Sequence, residues 1–177
     1  MGETAKAHSR RVRDGFFSSF VKGRIIDIGC GDDPLTNSCV RWDMEEGDAT
    51  LLMGVIDGSY DTVYSSHCLE HLELPAVALK NWWRVLAKHG HLILFVPHKF
   101  LYEQRTALPS RWNSAYHKQF FTIGEEGNGS IGLLPLVQRT LPEARLIYVK
   151  ECSEGFAFLS SDHPIGEYSI EMVLYKE

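Results

Sequence analysis

Two aspartates, a pair of glycines and a set of histidines are the residues here whose types and spacing suit chemistry. In Arg24-Ile25-Ile26-Asp27-Ile28-Gly29-Cys30-Gly31-Asp32-Asp33, three β-branched apolar residues run straight into Gly29 and Gly31. Such residues suit a buried parallel strand. Glycine tolerates positive φ and has no Cβ, so a ligand can approach the backbone closely. Ligands of open α/β sheets bind just beyond the carboxyl ends of strands. Asp43 ends a second apolar run, where a carboxylate can accept hydrogen bonds from two ribose hydroxyls. Asp48 follows in Gly47-Asp48-Ala49 and could accept from an adenine amino group.

His67-Cys68-Leu69-Glu70-His71 matches H-x-x-E-H, a zinc-hydrolase pattern. On a helix, His67 and His71 would share one face with Glu70 as base. Here the pattern sits directly after a strand, in a strand-to-helix turn, and we assign no metal. His71 reads as a packing or capping ring. His98 and His117 fall at and beyond the end of a later strand, and an imidazole there suits proton transfer from a hydroxyl. Structural histidine is the alternative for each. Cys30 reads as a small neutral filler of the turn rather than a nucleophile.

The elements that must position these groups follow from apolar spacing. Residues 3–22 form an amphipathic helix, with Val12, Phe16, Phe17 and Phe20 on one side. Strands follow at 24–29, 39–43 and 60–65, with a short further segment near 49–53. A helix runs from Pro75 to about Lys88 and is stopped by Gly90. His91 to Val96 is an apolar strand ended by Pro97. Residues 98–131 are irregular and rich in aromatics. A helix over 132–141 and strands at 145–149 and 169–175 complete the chain. The expected fold is α/β: a Rossmann-like, doubly wound, mostly parallel sheet with an antiparallel strand near one edge. We divide the single domain of 1–177 into an N-terminal helix (1–23), a cofactor-binding half (24–97), a substrate loop and helix (98–143) and C-terminal strands (144–177).

Composition narrows the class. The 177 residues are 44% hydrophobic and 23% charged, as in an ordinary globular domain with a real core. No apolar run is long enough to span a bilayer, and the first twenty residues lack a signal-peptide core. Four cysteines without C-x-x-C spacing suggest reduced thiols and a cytoplasmic protein. The net charge of −5 is uneven: residues 1–24 carry +4 and residues 98–121 carry +3. Two basic segments on an acidic body suggest an anion site, with a solvated helix face and loop as the alternative.

The glycine turn alone fits a nicotinamide cofactor or S-adenosylmethionine. The dinucleotide fingerprint fails, because its third glycine falls at Pro34. Three further segments decide the matter: the aspartates at 43 and 48, Tyr60-Asp61-Thr62-Val63-Tyr64-Ser65-Ser66-His67-Cys68-Leu69-Glu70-His71-Leu72, and Arg84-Val85-Leu86 leading through Gly90 to Val96-Pro97. Taken in order, the four segments resemble the class I S-adenosylmethionine-dependent methyltransferases, in particular the small type-11-like group. The resemblance covers about residues 24–97. It implies that Asp27, Gly29, Cys30 and Gly31 hold the methionine end, Asp43 and Met44 the ribose, and Asp48 and Ala49 the adenine. Ser66 and His67 would stand beside the reactive methyl. Three features depart from the pattern. Asp33 replaces its third glycine, Ala87-Lys88-His89-Gly90 replaces its K-P-G-G turn, and few residues separate Gly31, Asp43 and Asp48. Crossovers this short leave no room for full helices, so a trimmed fold with an open adenosine side is expected.

The reading that follows is methyl transfer to an oxygen or nitrogen of a small, anionic acceptor of sugar or lipid-intermediate type. His98, His117 or His67 would take the proton, and Arg105, Arg111, Trp112 and Tyr116 would bind the acceptor. The alternatives are a non-catalytic cofactor-binding module that supports a partner and, less favoured, an RNA methyltransferase drawing on the basic N-terminal segment. The product of the cofactor would be S-adenosylhomocysteine.

Overall fold

The structure is a computed structural model, and it describes residues 2–105, 107–113, 115–127, 129–158 and 163–177. The strands of the main sheet are β1 (Ile25–Ile28), β2 (Val40–Trp42), β3 (Tyr60–Ser66), β4 (Leu86–Pro97), β7 (Arg145–Cys152) and β8 (Ser169–Tyr175). A separate parallel pair, β5 (Phe121–Thr122) and β6 (Ile131–Gly132), lies between β4 and β7 in sequence. The main sheet has the order β2-β1-β3-β4-β8-β7. β2, β1, β3 and β4 are parallel, and β8 is antiparallel to both β4 and β7. This is the expected mostly parallel sheet with its antiparallel strand next to one edge.

Helices α4 (Pro75–Val85) and α5 (Leu133–Thr140) cover one face through Leu79, Trp82, Leu136 and Val137. Central strands buried on both faces account for the unbroken apolar run Leu92 to Val96. The other face packs Ile25, Tyr64, Ile93 and Val173 against Phe16.

Four expectations are corrected. The single helix over 3–22 is three short ones, α1 (Glu3–Lys6), α2 (His8–Arg13) and α3 (Phe16–Phe20). The break before α3 falls at Gly15, which takes φ +67°. Val12 is exposed, whereas Arg10 and Arg11 are buried. Residues 49–53 form turns, not a strand. Helix α4 ends at Val85 because Leu86 already pairs with Tyr60 in β3. Gly90 therefore lies inside β4, where a Cβ would stand 2.7 Å from Leu86 Cδ1 and 2.8 Å from the Asp61 carbonyl. Its role is close strand approach, and the left-handed residue of that turn is His89, at φ +62°.

Neither the β1–β2 nor the β2–β3 crossover contains a helix. Side chains of α4 hold the second one instead. Trp82 Nε1 donates to the Ala49 carbonyl at 2.8 Å, and Asn81 Nδ2 to the Thr50 carbonyl at 3.0 Å. Arg84 donates to the carbonyls of Leu52 and Val55. These bonds fix residues 49–55 where a strand ladder would otherwise do so. Trp82 and Trp83 are both buried in the core cluster, as packing residues.

Two cations of the basic N-terminal segment, Arg10 and Arg11, are consumed internally. Arg10 pairs with Glu167 at 2.8 Å and with Glu171 at 2.7 Å, and Arg11 pairs with Glu171 at 2.7 Å. All four side chains are buried. Burial opposes the arginine charges, but the facing carboxylates outweigh it and hold both guanidinium groups firmly protonated. Arg13 pairs with Glu154, and Lys6 with Glu3. Arg10 and Arg11 clasp α2 to β8, and these two do not form the expected anion site.

Candidate functional site

The carboxyl ends of β1, β2 and β3 open onto one cleft of about 830 Å³. Gly29, Gly31, Asp43, Met44, Gly47, Asp48 and Ala49 form one wall. His67, Cys68, His71, Leu72, Asn113, Ala115, Tyr116 and Lys118 form the other. The volume lies in the range of small-molecule sites.

The glycine turn explains the first wall. Gly29 has φ +73°, and a Cβ there would lie 2.5 Å from the Cys68 Cβ. Only glycine lets the turn pack on Cys68. Gly31 has φ +49°, and a Cβ there would meet nothing within 4 Å, so its open side faces the cleft. The Gly31 amide donates to Asp43 Oδ2 at 2.7 Å, and the Met44 amide to Asp43 Oδ1 at 2.8 Å. Asp48 accepts from the Thr50 amide at 2.6 Å. Each of these carboxylates keeps unused lone pairs for a ligand.

Of the residues expected to hold a cofactor, Gly29, Gly31, Asp43, Met44, Asp48, Ala49 and His67 line the cleft. Asp27, Cys30 and Ser66 are buried just behind it. Asp27 accepts from the Leu35 amide at 2.7 Å, which braces the turn from below. Burial pushes its pKa up to about 7 against the pull of the Leu35 amide.

The three histidines separate. His67 lines the cleft, with its backbone in the left-handed region at φ +48° and its ring packed against Phe95 and Tyr168. Its Nε2 lies 2.8 Å from Ser169 Oγ, and burial lowers its pKa to about 4, so the ring is neutral. His117 is buried behind the second wall, with Nδ1 2.7 Å from Glu103 Oε1. His98 does not line the cleft. It is buried after β4, with Nε2 3.4 Å from Glu151.

The acceptor residues separate too. Tyr116 lines the cleft. Arg105 lies instead in a surface hollow with Phe100, Gln104 and Ala107, and donates to the Pro109 carbonyl at 3.3 Å. Arg111 stacks on Trp112, 4.8 Å from the ring centroid. Trp112 Nε1 donates to the Tyr102 carbonyl at 2.8 Å. The anchoring of these two is structural, and neither lines the cleft. The cation that does so is Lys118, 3.3 Å from Glu73. Sequence reasoning missed it together with Gly47, Cys68, His71, Leu72, Asn113 and Ala115. Lys118 was visible only as one charge of a basic segment.

The histidine motif is not one helical face. Leu69–His71 is a single 3₁₀ turn, and Glu70 points inward, fully buried. Three imidazole nitrogens face its Oε1: His67 Nδ1 at 3.6 Å, His71 Nε2 at 3.7 Å and His117 Nε2 at 3.9 Å.

Comparison with known proteins agrees with this arrangement. The sequence profile of the type-11 "Methyltransferase domain" family matches residues 32–94. No curated protein matches the sequence. Among solved structures, a Listeria monocytogenes protein assigned as an S-adenosylmethionine-dependent methyltransferase superposes with a TM-score of 0.61 at 12% identity, covering 99% of this chain and 100% of the other. A Thermotoga maritima S-adenosylmethionine-dependent methyltransferase, a possible histamine N-methyltransferase, gives 0.56 at 16% identity with full coverage of both chains. A chain of the complex between the Haloferax volcanii Trm112 methyltransferase activator and its methyltransferase gives 0.58 at 11%, covering 97% and 92%. At these identities the likeness is one of fold. With the profile over residues 32–94, the ordered motifs and the sheet order, it makes the chain similar to the class I S-adenosylmethionine-dependent methyltransferases, with the type-11 profile matching its cofactor-side half.

Proposed function

We propose that this chain is an S-adenosylmethionine-dependent methyltransferase acting on an oxygen or nitrogen of a small acceptor that enters between His67 and the Tyr116–Lys118 segment. The carrying observation is the two-walled cleft: a glycine-and-carboxylate wall suited to the cofactor faces an imidazole, phenol and ammonium wall suited to an acceptor. The residues present fit S-adenosylmethionine, since Gly31 leaves open space on its cleft side and Asp43 and Asp48 retain acceptor capacity.

When bound, the sulfonium cofactor supplies an already activated methyl group. Asp43 would hold the ribose, Asp48 the adenine amino group, and Gly29 and Gly31 the methionine end, with Asp27 and Cys30 supporting the turn from behind. The chain's remaining task is to orient the acceptor and exclude water, which is worth at most about 7–11 kcal/mol. Of the three histidines considered, only His67 lines the cleft, so it is the proton acceptor proposed, with its Nε2 shared with Ser169 Oγ in the absence of acceptor. Lys118 gives the cleft a cation for an anionic acceptor, a role that Arg105 and Arg111 do not occupy. Four free cysteines fit a reducing, cytoplasmic setting.

RNA loses its main support, because Arg10 and Arg11 face glutamates in the interior. A second reading has one observation in its favour. Met44, Met53 and Ile56 stand 91%, 74% and 76% exposed on the segment that replaces the missing crossovers, which suits a cofactor-binding subunit covered by a partner. Calorimetric titration with S-adenosylmethionine, followed by turnover of the isolated chain on a panel of small anionic acceptors, separates the two. Binding with turnover supports the enzyme, binding without turnover supports the partnered module, and absence of binding refutes both.

A further inference from the structure

We propose that Glu70, His71 and His117 form a binding site for a divalent transition-metal ion, Zn²⁺ by its donor set, in the wall of the cleft. One donor atom from each lies within 4.8 Å of the others. No donor belongs to the cofactor wall, so occupancy of the site can be read without the cofactor.

Glu70 makes the case. Its side chain is fully buried, and among the described residues neither carboxylate oxygen has a hydrogen-bond partner. A buried carboxyl group left in this state costs several kcal/mol whether or not it is ionised. A protonated Glu70 could donate to an imidazole, but the facing nitrogens stand at 3.6–3.9 Å, beyond hydrogen-bond range. They are spaced instead as donors around a shared centre. With metal–nitrogen bonds of about 2.0–2.1 Å, tetrahedral ligand atoms sit roughly 3.3 Å apart. Each histidine nitrogen therefore needs to close on Glu70 by only about half an ångström, and the widest pair of donors, within 4.8 Å, by up to about 1.5 Å, which side-chain rotation can supply.

The surroundings match a metal site beyond the donors themselves. His117 presents Nε2 to Glu70 because Nδ1 is held by Glu103 Oε1 at 2.7 Å. Glu103 is itself fixed by the Ser110 hydroxyl at 2.7 Å and the Arg111 amide at 3.0 Å. A carboxylate behind a ligating imidazole sets its tautomer and aims the free nitrogen. Two histidines and one glutamate make a three-ligand set that leaves a coordination position open. His71 is half-buried and lines the cleft, so it joins the metal centre to the solvent-accessible side.

The site differs from the zinc-hydrolase reading of the same motif. There, two histidines of one helix bind and the glutamate acts as base. Here Glu70 is a ligand, and the second histidine comes from residue 117 in the loop beyond β4. His67 contributes a nitrogen near Glu70, but its Nε2 is engaged by Ser169.

The test is titration of chelator-treated, cofactor-free protein with Co²⁺, read by visible absorption, and with Zn²⁺ by displacement. The expected result is saturation at one ion per chain, loss of affinity by about tenfold or more in His71→Ala, and a weakening of about 10–100-fold in Glu103→Gln, which removes the orienting charge. His71→Ala alters a partly exposed side chain and should fold. A rise in melting temperature on adding Zn²⁺ to the parent, absent in His71→Ala, is the second readout. Absence of saturable binding, or binding undiminished in a folded His71→Ala, overturns the assignment. Because no S-adenosylmethionine is present, neither result depends on the cofactor site.

Discussion

The Gly31 amide donates to Asp43 Oδ2 at 2.7 Å, which ties the glycine turn after β1 to the tip of β2. Few residues separate the two, and no helix intervenes. One carboxylate thus shapes the turn and faces the cleft.

Asp43→Ala should weaken S-adenosylmethionine binding by about 1.5–3 kcal/mol, roughly 10- to 150-fold, as expected for lost hydrogen bonds to a charged group. The melting temperature should change little, because the site is open to solvent. Calorimetry beside a thermal melt checks both. Unaltered affinity would remove Asp43 from the cofactor site.

The two basic residues that sequence alone assigns to the acceptor should now behave differently from Lys118. Lys118→Ala should raise KM for an anionic acceptor severalfold and leave cofactor affinity unchanged. Arg105→Ala should leave KM where it was. Steady-state kinetics on the first active acceptor will decide, and equal effects would contradict the cleft geometry.

His67→Ala should lower kcat, by about 10²–10⁴-fold if proton removal is in the rate-limiting step. His98→Ala should not, since His98 faces Glu151 away from the cleft. Equal rates for parent and both variants would leave the reaction to positioning alone.

Glu171→Gln should destabilise the fold by about 3–5 kcal/mol, because Arg10 and Arg11 would remain buried without their shared carboxylate. Denaturant unfolding measures it. A loss below about 1 kcal/mol would mean that the clasp is dispensable.

Asp27 gives stability a pH dependence of definite sign. Its folded pKa is raised to about 7 from 3.8, chiefly by burial. Between those values the folded state holds a proton that the unfolded state has released. The contribution is complete below 3.8 and is lost as pH rises through about 7. Asp27→Asn should flatten the fall in melting temperature across that window, and parallel curves for parent and variant would refute the shift.

The strands, the glycine turn and the aspartates were legible because each is a local pattern. Ile25 to Gly31 carries both the apolar run and its stop, and Leu92 to Val96 spells a strand buried on both faces. The rest depended on partners far along the chain. Arg10 and Arg11 read as a basic face because nothing nearby announces Glu167 and Glu171. His117 and Glu70 meet only after the loop beyond β4 folds back. The helix over 3–22 failed at Gly15, whose left-handed backbone an apolar period cannot reveal. Residues 49–53 were read as a strand because their apolar content is real, but Trp82, Asn81 and Arg84 satisfy that backbone from the side.

The position of β8 sets an order on how this protein is made. Ser169–Tyr175 lies between β4 and β7, yet of the six strands of this sheet it is the last to be translated. Until it arrives, β4 presents an unpaired edge, and Arg10 and Arg11 wait for a partner 160 or 161 positions downstream. The parallel half can form during translation, but the sheet closes only when its final strand slides into the gap. Exposed edges in that interval invite association, and a nascent chain halted before Ser169 should be held by chaperones while the released chain is not.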